Sequence, residues 1–372
     1  MPDTEIGYMK MKRFLLFGAA CMLLLSFVVS NNPDGSTSSE KQSKNHCGLV
    51  CARSDGKYGF IDKTGKYVIN PQFDDAEAFS EGLARVWIGD WETGKWGFID
   101  KTGKYVINPQ FDDAFDFSEG LAAVRIGDLE TGKYGFIDKT GKYVINPQFD
   151  DAKAFSEGLA AVRIGDWKTG KYGFIDKTGK YVINPQFDIA FDFSEGLALV
   201  RIGDLKTGKD GFIDKTGKYV INPQFDIASY FSEGLALVRI GDLKTGKYGF
   251  IDKTGKYVIN PQFDGALDFS EGLAAVRIGD GKTGKYGFIN KTGKIVINPQ
   301  FDIAMAFSEG LAAVRIGDRE TGRWGFIDKT GKYVINPQFN IAGDFSEGLA
   351  SVWIGGKSGY IDKTGKVVYS EQ

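Results

Sequence analysis

From residue 57 onward one segment returns every 38 residues. Lys57-Tyr58-Gly59-Phe60-Ile61-Asp62-Lys63-Thr64-Gly65-Lys66 recurs with starts at Lys95, Lys133, Lys171, Lys209, Lys247, Lys285 and Arg323. A ninth copy starts at Lys357, after only 34 residues. Eight of the ten prolines occupy one position of the unit, from Pro71 to Pro337. Such an array leaves no room for independent domains, because each unit buries its apolar faces only against its neighbours. A chain of 372 residues suits two or three domains by length alone. The period instead makes residues 46–372 one repeat domain of nine units.

One unit reads as three antiparallel strands. Strand A is Leu121–Ile126, strand B is Lys133–Asp138, and strand C spans residues 142–146. A Gly-Asp-x-x-Thr-Gly turn joins A to B. Asp138-Lys139-Thr140-Gly141 closes the B–C hairpin as a type I turn with glycine in the left-handed region. Pro147, which lacks a backbone donor, is expected to end strand C. Phe149, Ala152 and Phe155 recur at a spacing of three, which suggests one short helical turn packed inward. Strands A, B and C carry apolar residues on both faces, so both faces are expected to be buried. The 50 glycines then follow from a few fixed turn and strand positions copied nine times. The expected fold is all-β, with small antiparallel units stacked face to face. Strand twist would coil them into an open superhelix or solenoid, or close them into a propeller-like ring. Nine units exceed the usual blade number of a propeller, which favours the open stack.

The consensus G-K-[YW]-G-F-I-D-K-T-G-K-x-V-I-N-P-Q-F-D-x-A-x-x-F-S-E-G-L-A-x-V resembles the bacterial WG, or KWG, β-repeat over residues 46–369. Trp-Gly stands intact at Trp96-Gly97 and Trp324-Gly325. Tyrosine replaces tryptophan at Tyr58, Tyr134, Tyr172, Tyr248 and Tyr286 and, shifted by one residue, at Tyr360. Asp210 departs from the pattern and is expected to weaken the packing of its unit. The resemblance implies a tandem β-repeat, often secreted or surface-associated, with no established enzymatic activity.

The N-terminus reads as an address. Lys10, Lys12 and Arg13 precede an apolar run from Phe14 to Val29, short for a bilayer span and suited to a signal-peptide core. Val28 and Ser30 suit cleavage before Asn31, and Met9 or Met11 suits a later start. Cys21, preceded by Gly18-Ala19-Ala20, offers a lipidation site without the usual leucine of a lipobox. Residues 1–30 are thus a signal peptide or N-terminal anchor, and residues 31–45 a polar linker. Export to the periplasm, cell surface or exterior is expected, with membrane contact only through an uncleaved or lipidated N-terminus.

Several chemistries fail on residue type. A net charge of −2 argues against nucleic-acid binding. Gly89-x-x-x-x-Gly94-Lys95 resembles a P-loop fragment, but strand follows it where a phosphate site needs a helix. The acidic loop of Asp74, Asp75, Glu77 and Glu81 lacks calcium-loop spacing. His46 with Cys47 and Cys51 lacks a fourth metal ligand. Cys47 and Cys51 would lie about 13 Å apart in an extended strand, too far for a disulfide. Nearly every carboxylate is repeated and the single histidine lies at the linker edge, so no catalytic pair stands out. No enzyme, cofactor or metal is expected. The Tyr/Trp column could stack sugars but suits a core role better.

Near-identical copies vary where packing does not dictate the residue. Variation concentrates in the loop between units and at the tip of the A–B turn. Trp91, Leu129, Trp167, Leu205 and Leu243 occupy those tips. Apolar residues at turn tips mark a candidate partner-binding edge. The expected function is a monomeric, non-catalytic scaffold binding a protein or glycan partner through repeated contacts. A structural spacer or surface element and a glycan-binding module are the alternatives.

Overall fold

The computed structural model describes residues 48–371 except Leu243, Lys282 and Arg319. The signal-sequence residues, Cys21, the 31–45 linker, His46 and Cys47 lie outside the described residues. Nine separate antiparallel sheets follow one another along the chain. The first holds β1 (Val50–Ser54), β2 (Lys57–Ile61) and β3 (Tyr67–Phe73). The second holds β4 (Asp75–Ala76), β5 (Ala84–Ile88), β6 (Lys95–Ile99) and β7 (Tyr105–Phe111), hydrogen-bonded in that order. The remaining sheets repeat the four-stranded plan over residues 113–149, 151–187, 189–225, 227–263, 265–301, 303–339 and 341–370.

Two local expectations change. The segment after strand C forms no helical turn. Asp151 and Ala152 form a short lead strand paired with Arg163 and Val162 of strand A. Asp150 N donates to Arg163 O and Lys153 N to Ala161 O, so strand A captures this backbone. Strand C also runs through its proline, from Tyr143 to Phe149. Tyr134 pairs with Phe149 and Phe136 with Ile145, so one strand-B residue faces a bulge that holds Pro147. The bulge needs no donor from the proline, which is why the strand continues. It also explains the glycine of the Trp-Gly pair. A Cβ on Gly135 would lie 2.5 Å from Ile145 O and 2.7 Å from Pro147 N. The crossing backbone, rather than a neighbouring ring, therefore excludes any side chain here.

Blades pack through interleaved cores. Leu121, Phe136 and Phe149 of the third blade meet Ala152, Phe155 and Ile175 of the fourth in one buried cluster. Phe136 and Phe155 pack edge to face with centroids 4.9 Å apart. Polar contacts repeat at the same junction. Ser118 Oγ donates to Phe155 O at 2.7 Å, and Gly158 N donates to Glu119 Oε2 at 3.0 Å. Lys177 Nζ donates to Glu119 O at 2.9 Å and pairs with its carboxylate at 3.2 Å. Strands A and B are buried on both faces, as expected. Strand C is not: Val144 is 45% exposed, because this strand edges the blade.

The stack closes on itself. The hairpin at Gly65 abuts Val368 O of the ninth blade, where an added Cβ would collide. Tyr369 Oη donates to Arg53 O at 2.5 Å, so Tyr67 Oη, 2.6 Å away, supplies the hydrogen between the two hydroxyls. Tyr360 Oη donates to Cys51 O at 2.7 Å, and Lys63 lies 3.9 Å from Glu347. Tyr360 pairs with Ser351, the register that phenylalanine takes elsewhere, so it is not a shifted copy of the Trp/Tyr position. Terminal blades exchange no strand, since residues 50–73 and 341–370 each form their own sheet. The fold is thus a nine-bladed ring, a β-propeller, and the open superhelix is not supported. Two ninth-blade hydroxyls thereby satisfy first-blade carbonyls, of Cys51 and Arg53, that an open stack would leave at its end.

Two outcomes test this packing. Gly135→Ala should destabilise by about 1–3 kcal/mol through overpacking in denaturant unfolding, whereas Gly281→Ala, with open space around it, should change little. Asp268 accepts from Ser229 Oγ across the sixth and seventh blades, and burial pushes its carboxyl up to about 6. Because that value exceeds the ordinary one, the folded state binds the extra proton between roughly pH 4 and 6, and stability falls as pH rises through that window. Asp268→Asn should therefore melt higher than the parent at neutral pH and equally at about pH 3.5, below both values.

Candidate functional site

The A–B turns share one architecture. Asp128 Oδ1 accepts from Glu130 N, Thr131 N and Thr131 Oγ1 at 2.7–2.9 Å. Gly132 N donates to Asp128 O, and Gly127 N donates to Asp112 Oδ2 at 2.9 Å. Asp112 also accepts from Lys95 of the preceding blade, which ties the turn to its neighbour. These donors hold the turn aspartates Asp90, Asp128, Asp166, Asp204, Asp242 and Asp318 below the ordinary carboxylate range, with the Thr backbone N–H the leading cause. The residue after each aspartate is thereby fixed at the tip of a closed loop.

Trp91 is 60% exposed, Trp167 68%, Leu129 47% and Leu205 41%. They stand at equivalent positions of the second to fifth blades. Leu243 lies outside the described residues. Lys168 Nζ sits 4.9 Å from the Trp167 ring centroid. A second apolar row accompanies the tips. Ile126, Ile164, Ile202, Ile240, Ile278, Ile316 and Ile354, the last residues of strand A, are all half-exposed. Burial was expected on both faces of strand A, Ile126 included, so this exposure is a departure. Its position beside the turn glycine is the signal that a strand is leaving the core.

The Tyr/Trp column is buried at Trp96, Tyr134, Tyr172, Tyr286 and Trp324 and half-buried at Tyr58 and Tyr248. Tyr134 Oη donates to Asp113 Oδ2 at 2.7 Å, and the Arg125 guanidinium lies 5.8 Å from its ring centroid. Burial, reinforced by Asp113, pushes this phenol far up. The column therefore packs as core and offers no stacking face.

The fifth blade breaks the column. Asp210 replaces the ring, and Ile189 stands where Asp113 accepts the hydroxyl in the third blade. Asp210 accepts from Arg201 Nε at 2.7 Å and Nη2 at 3.0 Å, and from Ala228 N of the next blade at 2.8 Å. Arg201 Nη2 also donates to Asp226 O at 2.7 Å. Burial raises the Asp210 carboxyl, while the Arg201 bonds oppose that rise. The expected loosening is thus replaced by a buried ion pair that tethers two blades. A cavity of about 630 Å³ lies between the fifth and sixth blades, with Arg201 and Asp210 in its lining.

Among the described residues, no three His, Cys, Asp or Glu side chains converge as a metal site. Cys51 is a free thiol that donates to Ala76 O.

The family described as "WG containing repeat" matches residues 58–90, 96–129, 134–166, 172–205, 211–243, 248–282, 286–319 and 324–357. These are eight repeats, and the ninth copy read at Lys357 is not among them. Each match runs from strand B of one blade to the A–B turn of the next, so eight sequence repeats bridge nine blades. No curated protein sequence matches the chain. Similar solved structures include an acylaminoacyl peptidase from Pyrococcus horikoshii, at 9% identity and TM-score 0.40 over 75% of this chain and 56% of that one. The β-propeller domain of the Trilobed protease from Pyrococcus furiosus has 8% identity and TM-score 0.40 over 69% of this chain and 97% of that one. Prolyl oligopeptidase B from Galerina marginata has 10% identity and TM-score 0.44, covering 79% and 55%. The chain thus spans just over half of either peptidase, and these likenesses carry nothing about activity. With eight matched repeats covering most of its sequence, the chain belongs to the WG containing repeat family.

Proposed function

We propose that this protein is an exported, non-catalytic ring scaffold that binds an extended protein or glycan partner across its A–B rim. The observation that carries the reading is the set of exposed Trp91, Leu129, Trp167 and Leu205 side chains on rigidly capped turns. Exposed aromatic tips cost little ordering entropy on binding when the loop beneath them is already fixed. Repetition adds to this, because linked weak contacts raise effective concentration without one strong site. The basic residues and apolar run before Asn31 support export. The exposed indoles also favour a glycan among the partner classes, since an aromatic face stacks on a sugar ring.

Retention of envelope proteins and binding to a glycan array test the reading together. A Trp91→Ala/Trp167→Ala double variant should lose at least about tenfold in affinity for whatever the parent retains, as expected for aromatic anchors. Its melting temperature should stay within a degree or so of the parent, since exposed sites contribute little to stability. A double variant that binds as the parent does would remove the rim from the binding surface. Truncation of repeats that shortens reach without abolishing binding would favour a structural spacer.

A further inference from the structure

The A–B rim changes its charge around the ring. The residue after the apolar tip is glutamate in the second and third blades, Glu92 and Glu130. It is lysine in the fourth, fifth and sixth, Lys168, Lys206 and Lys244. All five side chains are exposed. The rest of these blades leans the same way. Residues 74–149 hold 14 acidic and 8 basic side chains, whereas residues 150–301 hold 19 and 21. The turn aspartates do not distinguish the two arcs, because each of these tips follows one.

The tip lysines differ from the other lysines of the unit. Lys133 pairs with Asp150, and Lys177 with Glu119. Among the described residues, no carboxylate lies in ion-pair range of Lys168, Lys206 or Lys244. Lys168 Nζ instead stands 4.9 Å from the Trp167 ring centroid. Between Lys206 and Lys244 the rim opens into the cavity of about 630 Å³, which also has Leu205 in its lining. Apolar surface, free ammonium groups and a recess thus follow one another at equivalent positions of consecutive blades.

The turns also restrict what this arc can take. Asp166 Oδ1 accepts from Lys168 N and Thr169 N, and Asp204 Oδ1 from Lys206 N and Thr207 N. These backbone donors are consumed within their turns, so an extended peptide finds no strand edge to pair with. Recognition falls to the rings and the ammonium groups. A sugar acid offers an apolar face to a ring and a carboxylate to a lysine on one unit. A polymer of such units repeats both from blade to blade.

We propose that the arc of Trp167, Lys168, Leu205, Lys206 and Lys244 binds a linear acidic polysaccharide of the polyuronate class, and that Glu92 and Glu130 repel it from the preceding arc. The inference rests on the rim being the binding surface. Trp91 and Trp167 then differ in role although both are exposed tips, because the neighbouring charge differs.

Calorimetric titration of the full chain at low ionic strength with polygalacturonate, its fully methyl-esterified form and poly-L-glutamate tests the assignment. Polygalacturonate should bind, and added salt should weaken it. The ester keeps the sugar faces without the charge, and polyglutamate keeps the charge without the sugar. Each should bind at least about tenfold more weakly. Lys168→Glu/Lys206→Glu/Lys244→Glu and Trp167→Ala should each lose a comparable factor for polygalacturonate. Trp91→Ala should bind it as the parent does, and Glu92→Lys/Glu130→Lys at least as tightly. Because all these positions are exposed, melting temperatures near the parent's should separate lost binding from lost fold. No binding by the parent, equal binding of the ester or of polyglutamate, or undiminished binding by the lysine variant or by Trp167→Ala would overturn the proposal. So would an equal loss in Trp91→Ala. The rim reading fails separately, when the Trp91→Ala/Trp167→Ala variant retains every envelope partner that the parent retains.

Discussion

Every junction in this ring seats a hairpin glycine on the strand-C edge of the preceding blade. A Cβ on Gly141 would lie 3.2 Å from Ile107, and one on Gly179 would lie 3.2 Å from Ile145. The same seat recurs from Gly103 on Ile69 to Gly365 on Ile335. Glycine is required twice over, by the contact and by a φ near +85° at each hairpin. Identical seats impose an identical rotation from blade to blade. A stack built on one repeated rotation either closes after a whole number of units or winds on indefinitely. Here the ninth blade meets the first on the same strand but against backbone: Gly65 abuts the Val368 carbonyl, where the other hairpin glycines rest on an isoleucine side chain. Core interleaving, the Ser-to-carbonyl bonds and the Glu–Gly–Lys ladder all depend on that spacing.

Much of this was legible in the residues. Strands A, B and C and the Asp-Lys-Thr-Gly hairpin follow from apolar patterning and turn chemistry that need no tertiary information. The lead strand was not legible, because two residues such as Asp151 and Ala152 carry no period. The proline bulge was misread for a different reason. A missing donor reads locally as a strand end, and only the pairing of Tyr134 with Phe149 shows the ladder resuming beyond it. Closure was beyond the sequence because residue identity fixes that a rotation repeats, not how large it is. The tyrosines at 360 and 369, which depart from the consensus, were the available sign that the last blade meets something different.

The candidate site divides in the same way. Variation among near-identical copies pointed to Trp91, Leu129, Trp167 and Leu205, and the structure places all four at exposed tips. It could not point to the strand-end isoleucines, because an invariant residue looks like core until its exposure is known. Asp210 was visible as a departure, yet its consequence depends on Arg201, nine residues earlier and directly across the pair. A buried aspartate beside apolar residues is unfavourable, whereas one held bidentately by a guanidinium is matched. Repetition makes the ring, and its breaks give one part of the ring chemistry that the others lack.

Closure is tested most directly by spin-label distances across the terminal blades. In a chain without native cysteines, labels at residues 63 and 347 report the junction of first and ninth blades. Labels at residues 81 and 139 report an internal junction, where Lys139 and Glu81 pair at 3.1 Å. A closed ring predicts that pulsed dipolar spectroscopy gives both pairs the same short, narrow distance distribution. A long or broad distribution for the 63–347 pair alone would contradict it and restore the open superhelix.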